Sequence, residues 1–210
     1  MRLVGMLDSP YVRRVAISFE FLGIEFVHEA KSVFTTFEEF QQMNPVVKAP
    51  TLICDDGEIL MDSSLILQFI EASSGKTKKL WPEASADLQH AFRVVSLSLA
   101  ACDKGVQLIY ERNLRPESTQ YEPWLSRVAG QVQAALDGLE QEIENRSALF
   151  STIGHASIAS AIAWQFMSAQ VGKVTTLGDY PLLSAHSENM EKLAEFKQYP
   201  PSGPGVHSDR

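Results

Sequence analysis

Apolar and polar positions alternate between two rhythms along this chain, and the switch between them divides it. Leu3 to Met6 is a short apolar run and predicts a strand. Asp8-Ser9-Pro10 follows, a capping side chain ahead of proline at the first helical position. Val12, Val15, Ala16 and Phe19 recur at i, i+3, i+4 and i+7, which predicts an amphipathic helix over residues 10–22, ended by Gly23. Ile24 to Glu29 alternates and predicts a second strand. A helix-length crossover between two strands implies parallel pairing. A short helix is expected at Phe37–Met43, broken by Asn44-Pro45. Thr51-Leu52-Ile53-Cys54 and Glu58-Ile59-Leu60-Met61 flank Asp55-Asp56-Gly57 and read as an antiparallel hairpin. Asp62-Ser63-Ser64 starts a further helix, whose apolar face is Leu65, Ile66, Phe69 and Ile70, running to about Ser73.

Beyond Ser85 the helical rhythm is almost unbroken. Leu88, Phe92, Val95 and Leu99 continue to Val106 and Ile109 as one long helix, and Trp124, Val128, Val132, Ala135 and Leu139 mark a second. Ser157 to Ala169 is apolar on most faces and is expected as the buried central helix of this half. Tyr180-Pro181 to Phe196 holds one or two shorter helices, and Pro200 to Arg210, rich in Pro, Gly and Ser, is expected to be poorly ordered. The predicted order is therefore βαβαββα, a linker, then helices only. Residues 1–76 form the first domain, 77–83 the linker and 84–210 an all-helical domain.

Composition narrows the function classes. The chain has 210 residues, 45% hydrophobic and 21% charged, with a net charge of −8. Both halves are acidic and no Lys/Arg cluster is interleaved with aromatics, so nucleic acid is not an expected partner. No apolar stretch reaches the roughly 18 residues a membrane span requires, and no signal-peptide pattern is visible. Cys54 and Cys102 match no metal or CxxC spacing and read as small buried hydrophobes, which suits a reducing, cytoplasmic setting.

Three short motifs carry the chemistry: Ser9-Pro10-Tyr11 after the first strand, Ala49-Pro50 before the third, and Asp62-Ser63 at the third helix. Their order and spacing, with the all-helical second half, resemble the glutathione S-transferase family. The Ser-Pro-Tyr start is similar to its bacterial members with Ser or Cys at this turn. The resemblance implies a thioredoxin-like glutathione-binding domain followed by an all-helical domain. It also implies a homodimer, glutathione as co-substrate, no metal or organic cofactor, and a role in detoxification. A non-catalytic binding or docking protein on the same fold is the alternative.

By this resemblance Ser9 is the catalytic residue that stabilises the glutathione thiolate, whereas locally it reads equally as a helix cap. A free thiol of pKa about 8.5 is only a few per cent thiolate at pH 7. Lowering that pKa by about two units needs about 2.7 kcal/mol. One charge-assisted hydrogen bond supplies about 1.5–3 kcal/mol, and a helix N-terminus adds about 0.3–1 kcal/mol. The resemblance makes Pro50 a cis-proline, with Ala49 or Val47 pairing with the peptide backbone of glutathione. Lys48 is either a carboxylate contact or a solvated loop lysine. Ser63 would take the γ-glutamyl carboxylate at a helix N-terminus and Asp62 the ammonium, or the two are a plain capping pair. The electrophile or peroxide is expected between the domains near Tyr11, Cys102, Gln107 and Tyr110, with Glu111 a further candidate. Ser157-Ile158-Ala159-Ser160 takes the place of the family's capping box, with Ser160 where Asp is usual; this is read as structural, and His155 as a loop histidine.

Overall fold

The computed structural model describes residues 1–206 except Ser74, Lys76 and Thr77. Those three linker residues, and 207–210 of the tail, lie outside the described residues. The chain divides into two compact units, Met1–Leu80 with Leu193–Gly205, and Trp81–Lys192 with the last residues from Val206.

The first unit is a four-stranded mixed sheet with helices. The strands are β1 (Arg2–Val4), β2 (Val27–Glu29), β3 (Thr51–Ile53) and β4 (Ile59–Met61), in the order β2-β1-β3-β4. β1 and β2 are parallel, and the other two pairings are antiparallel. The helices are α1 (Pro10–Leu22), α2 (Phe37–Met43) and α3 (Ser63–Ser73). α1 ends at Gly23, whose left-handed φ of 66° lets its N–H return to Glu20 and Phe19. Val12, Val15, Ala16 and Phe19 of α1 are buried with Leu3, Val4 and Leu52 of the sheet and Ile66, Leu67 and Ile70 of α3. The helix bounds match the sequence pattern, whereas the strands are shorter. Ile24–Phe26 in particular do not pair, because the register of β2 on β1 runs only from Val27 to Glu29.

The second unit is helical: α4 (Ser85–Leu114), α5 (Glu122–Asn145), α6 (Ser147–Ser151), α7 (His155–Ala169) and α8 (Pro181–Met190). α7 is buried on most of its faces, with Ile158, Ala161, Ile162, Ala163, Phe166 and Met167 in the core. Gly105 of α4 lies where an added Cβ would be 2.7 Å from Met167 and from Val171, so these helices approach too closely for a larger residue. The buried stripe of α4 is Ala91, Val94, Val95, Ser98, Ala101, Cys102, Gly105 and Leu108, not the Leu88–Phe92–Leu99 line. Phe92 is 52% exposed on one side and stacks on Trp81 with its other, ring centroids 4.2 Å apart.

Two expectations for the helical half are corrected. α7 begins at His155, so Gly154 is the cap and Ser157 is the residue that reaches back, its Oγ accepting the Gly154 N–H at 3.0 Å. Ser160 Oγ instead donates to the Ala156 carbonyl at 2.8 Å and meets His186 Nε2 at 3.1 Å. His155 is buried against Trp81 rather than in a loop. Cys54 is only partly buried, whereas Cys102 is fully so.

The chain's end also differs from expectation. α9 (Ala194–Gln198) and residues 199–205 belong to the first unit and lie along α1. Arg13 donates from Nε to the Tyr199 carbonyl at 2.8 Å, and Tyr199 stacks on Phe26 with centroids 5.7 Å apart. Three prolines within Tyr199–Gly205 explain the order: they restrict the backbone before it docks, so less entropy is lost.

Candidate functional site

The sheet register gathers the three motifs. Val4 faces Thr51, and Thr51 faces Met61, so the turn after β1, the loop before β3 and the start of α3 all leave the sheet at one end. Gly5 opens the first turn with φ 144°, and an added Cβ there would sit 2.5 Å from Val12 Cγ2 and 3.3 Å from Ala49 Cβ. The first turn therefore closes on the Ala49-Pro50 loop at a point where no side chain fits.

Ser9 is the N-cap of α1, with extended backbone (φ −75°, ψ 120°) and Pro10 in the first helical position. Its Oγ accepts the Val12 N–H at 3.5 Å, which leaves the hydroxyl proton for another acceptor. Tyr11 is half-buried in the first turn of the same helix.

The Ala49–Pro50 bond is cis. The loop before it is held by Asn44, a residue the sequence marked only as a helix breaker. Asn44 is 3% exposed and its Nδ2 donates to Thr51 Oγ1 at 2.8 Å. Its Oδ1 accepts the Val46 N–H at 3.0 Å, and its carbonyl accepts the Val47 N–H at 2.9 Å. Thr51 Oγ1 in turn donates to the Lys48 carbonyl at 2.7 Å. Val47 sits at φ 52°, a costly conformation for a β-branched residue, imposed by this network.

Asp62 is a second non-glycine residue in the left-handed region, with φ 73°. Its Oδ1 accepts the Ser64 and Leu65 N–H groups at 2.9 and 3.4 Å, capping α3. Lys48 Nζ lies 3.5 Å from Asp62 Oδ2, an exposed ion pair worth little in stability but one that joins the second and third motifs. Ser63, 4% exposed, is the first residue of α3, so its N–H has no partner within its own helix. Its Oγ accepts from Arg14 Nη1 at 3.2 Å, and Ser64 Oγ accepts from the same nitrogen at 3.1 Å. Arg14 is buried on α1 and ties the cap of α3 to the helix that Ser9 starts. Neither Asn44 nor Arg14 was singled out in the sequence, since each acts by what it holds.

Asp8, next to Ser9, is held by the chain's end. Its N–H donates to the Ser202 carbonyl at 3.0 Å and its Oδ2 accepts the Gly205 N–H at 2.8 Å. Burial pushes its carboxyl above the ordinary range, against the opposing pull of the Gly205, Asp8 and Ser9 N–H groups.

Residues 3–78 match the family described as glutathione S-transferase, N-terminal domain. The chain carries a glutathione S-transferase N-terminal domain. Across its length this transferase-like chain is 27% identical over 201 residues to "Uncharacterized GST-like protein YibF" of Escherichia coli, covering 96% of this chain and 98% of that one. It is similar in fold, with a TM-score of 0.88, to a glutathione S-transferase of Methylobacterium radiotolerans crystallised with glutathione sulfonate, 24% identical, covering 100% and 98% of the two chains. A glutathione S-transferase of Methylobacillus flagellatus with GSH bound gives a TM-score of 0.83 at 24% identity, covering 96% and 99%.

The candidates for the second substrate fall in different units. Tyr11 is in the transferase N-terminal domain, while Cys102, Gln107 and Tyr110 are on α4. Of these three, Cys102 is 3% exposed and faces the core of the helical unit, Gln107 is half-buried, and Tyr110 is exposed. Among the described residues no group of three or more His, Cys, Asp or Glu side chains could hold a metal ion, and no helix is long and apolar enough to cross a membrane.

Proposed function

We propose that this protein is a glutathione transferase in which Ser9 stabilises the glutathione thiolate. The observation that carries the reading is the convergence of the Ser9 cap, the cis-Pro50 loop and the Ser63 helix start at one end of the sheet. In this reading Ser63 receives the γ-glutamyl carboxylate through its N–H and hydroxyl, with α3 contributing its N-terminal dipole. Asp62 meets the γ-glutamyl ammonium through its Lys48-facing oxygen. Val47 and Ala49 pair with the cysteinyl backbone beside Pro50, and Lys48 meets the far carboxylate.

The thiol is then placed at the start of α1, where the Ser9 hydroxyl donates to sulfur. The thiol proton leaves to water. The thiolate electron pair attacks an electrophilic carbon, the new C–S bond forms, and the leaving group departs with its own electron pair. On a peroxide the same thiolate attacks oxygen, the O–O bond breaks, and a second glutathione thiol reduces the resulting sulfenate to the disulfide. A homodimer acting in the cytoplasm, in detoxification, completes the proposal.

The decisive experiment pairs binding with titration. Calorimetry is expected to detect glutathione binding to the wild type and to Ser9→Ala with similar affinity. Ultraviolet titration of the bound thiolate is expected to show a pKa about one to two units higher in Ser9→Ala, the equivalent of one charge-assisted hydrogen bond. Absence of glutathione binding overturns the function. Unchanged thiol pKa reduces Ser9 to a helix cap. Binding with no turnover against any electrophile or peroxide selects the non-catalytic alternative.

A further inference from the structure

We propose that Tyr199–Gly205 is a strap that positions Ser9, acting through Asp8; this rests on the reading of Ser9 as the thiolate donor. Asp8 is gripped on both sides by one short piece of chain. Its N–H is bound by the Ser202 carbonyl at 3.0 Å, and its carboxylate by the Gly205 N–H at 2.8 Å. Between these two contacts lies Gly203, where an added Cβ would fall on the Asp8 carboxylate. The backbone of the strap thus lies directly on the carboxylate, and a larger residue at 203 must displace it.

The other end of the strap is anchored deep in the unit. Arg13, 1% exposed, donates to the Tyr199 carbonyl at 2.8 Å and to the Phe196 carbonyl at 3.4 Å. Tyr199 stacks on Phe26, and its hydroxyl donates to Glu20 at 3.2 Å. The strap therefore runs from Glu20, near the end of α1, back to Asp8, just ahead of its start. Pro200, Pro201 and Pro204 stiffen it over that path.

The turn that Asp8 sits in is otherwise tied through Ser9, whose carbonyl accepts the Arg13 N–H at 3.0 Å. Ser9 donates its N–H to the Met6 carbonyl at 3.2 Å, and Ser9 Oγ holds Val12 only at 3.5 Å. A donor must hold its position to within a fraction of an ångström to stabilise developing charge. The strap supplies that constraint through its two bonds to Asp8.

Two variants leave Asp8 in place and loosen the grip: Gly203→Val, and a chain ending at Pro200. Hydrogen exchange in the free protein reads positioning without any ligand. The amides of Ser9 and Arg13 are expected to exchange about tenfold faster in both variants, with the middle of α1 still protected. Unchanged exchange at these two amides overturns the proposal.

Titration of bound glutathione then reads function. Both variants are expected to raise the thiol pKa by about half a unit or more with Kd changed less than about threefold. The same truncation in an Asp8→Asn background is expected to raise it equally, which removes any direct effect of a freed carboxylate. If Ser9→Ala raises the thiol pKa and the strap variants do not, the strap is structural only and the proposal fails alone. If Ser9→Ala leaves the thiol pKa unchanged, the reading of Ser9 fails and the strap's role falls with it.

Discussion

At the scale of single residues, the polar side chains that matter most near the site are those that hold other groups in place. Asn44 makes three bonds that shape the loop before Pro50. Asn44→Ala leaves the Thr51 and Val46 groups without their partner and is expected to cost about 2–3 kcal/mol in urea unfolding, at roughly 1–1.5 kcal/mol per buried hydrogen bond. It is also expected to weaken glutathione binding, because the loop before Pro50 loses two of the bonds that shape it. Asp8 gives a pH signature. Burial disfavours its charge, so its carboxyl titrates above the ordinary carboxylate range in the folded chain and folding favours its protonated form. Its contribution to stability is fully present below about pH 4 and is lost as pH rises through the raised pKa. Relative to Asp8→Asn, the wild type is therefore expected to lose stability as pH rises from about 4 through the raised pKa, measured as the difference in Tm between the two proteins at each pH. Tyr199, pushed up to about 12 by burial and by Glu20, stays a neutral donor throughout that range.

At the scale of elements, α1 was fully legible. Its cap, first-turn proline, apolar spacing and terminal glycine all lie within 15 residues and agree with one another, and Pro10–Leu22 is the span observed. The strands were legible as elements but not in length, since pairing partners decide where a ladder stops. The start of α7 was misplaced because Ser157 resembles a cap, and the structure makes it the residue that reaches back to Gly154. Ser157→Ala is expected to lower stability by about 1 kcal/mol, a value typical of a lost cap, and by differential scanning calorimetry to lower Tm by about 2–4 °C. For α9 and the strap, the anchor is Arg13. Arg13→Ala removes buried charge-assisted bonds to two carbonyls and is expected to cost about 3–5 kcal/mol, while Arg13→Lys recovers little because it lacks the planar fork. Nothing in the local sequence marks Arg13 as buried; its partners lie more than 180 positions away.

At the scale of the whole molecule, the two-part plan was readable because strand and helix periods alternate up to about Ser73 and only the helical period continues beyond Ser85. The assignment of Leu193–Gly205 to the first unit was not, since a Pro-Gly-Ser-rich segment carries no periodicity to say what it covers. The candidate motifs were readable and their supports were not: Ser9, Pro50 and Ser63 stand at chain positions that announce turns, whereas Arg14 sits inside a helix and declares itself only through Ser63 and Ser64. If glutathione binds the folded chain alone, saturation at about a hundred times Kd adds about 2.7 kcal/mol. For a chain of this size that corresponds to a rise in Tm of about 5–10 °C by scanning calorimetry.

The return of residues 193–205 to the first unit has a consequence for biosynthesis. A chain emerging from the ribosome presents α1 and its sheet before the helical unit, but the groups that Arg13, Phe26 and Glu20 bind follow that unit in the sequence. The first unit is thus closed only after the helical unit has been made, and a nascent chain stalled short of Phe196 would hold it without the carbonyls that Arg13 binds. The helical unit, whose residues from Trp81 to Lys192 are contiguous, can complete its main body while still tethered.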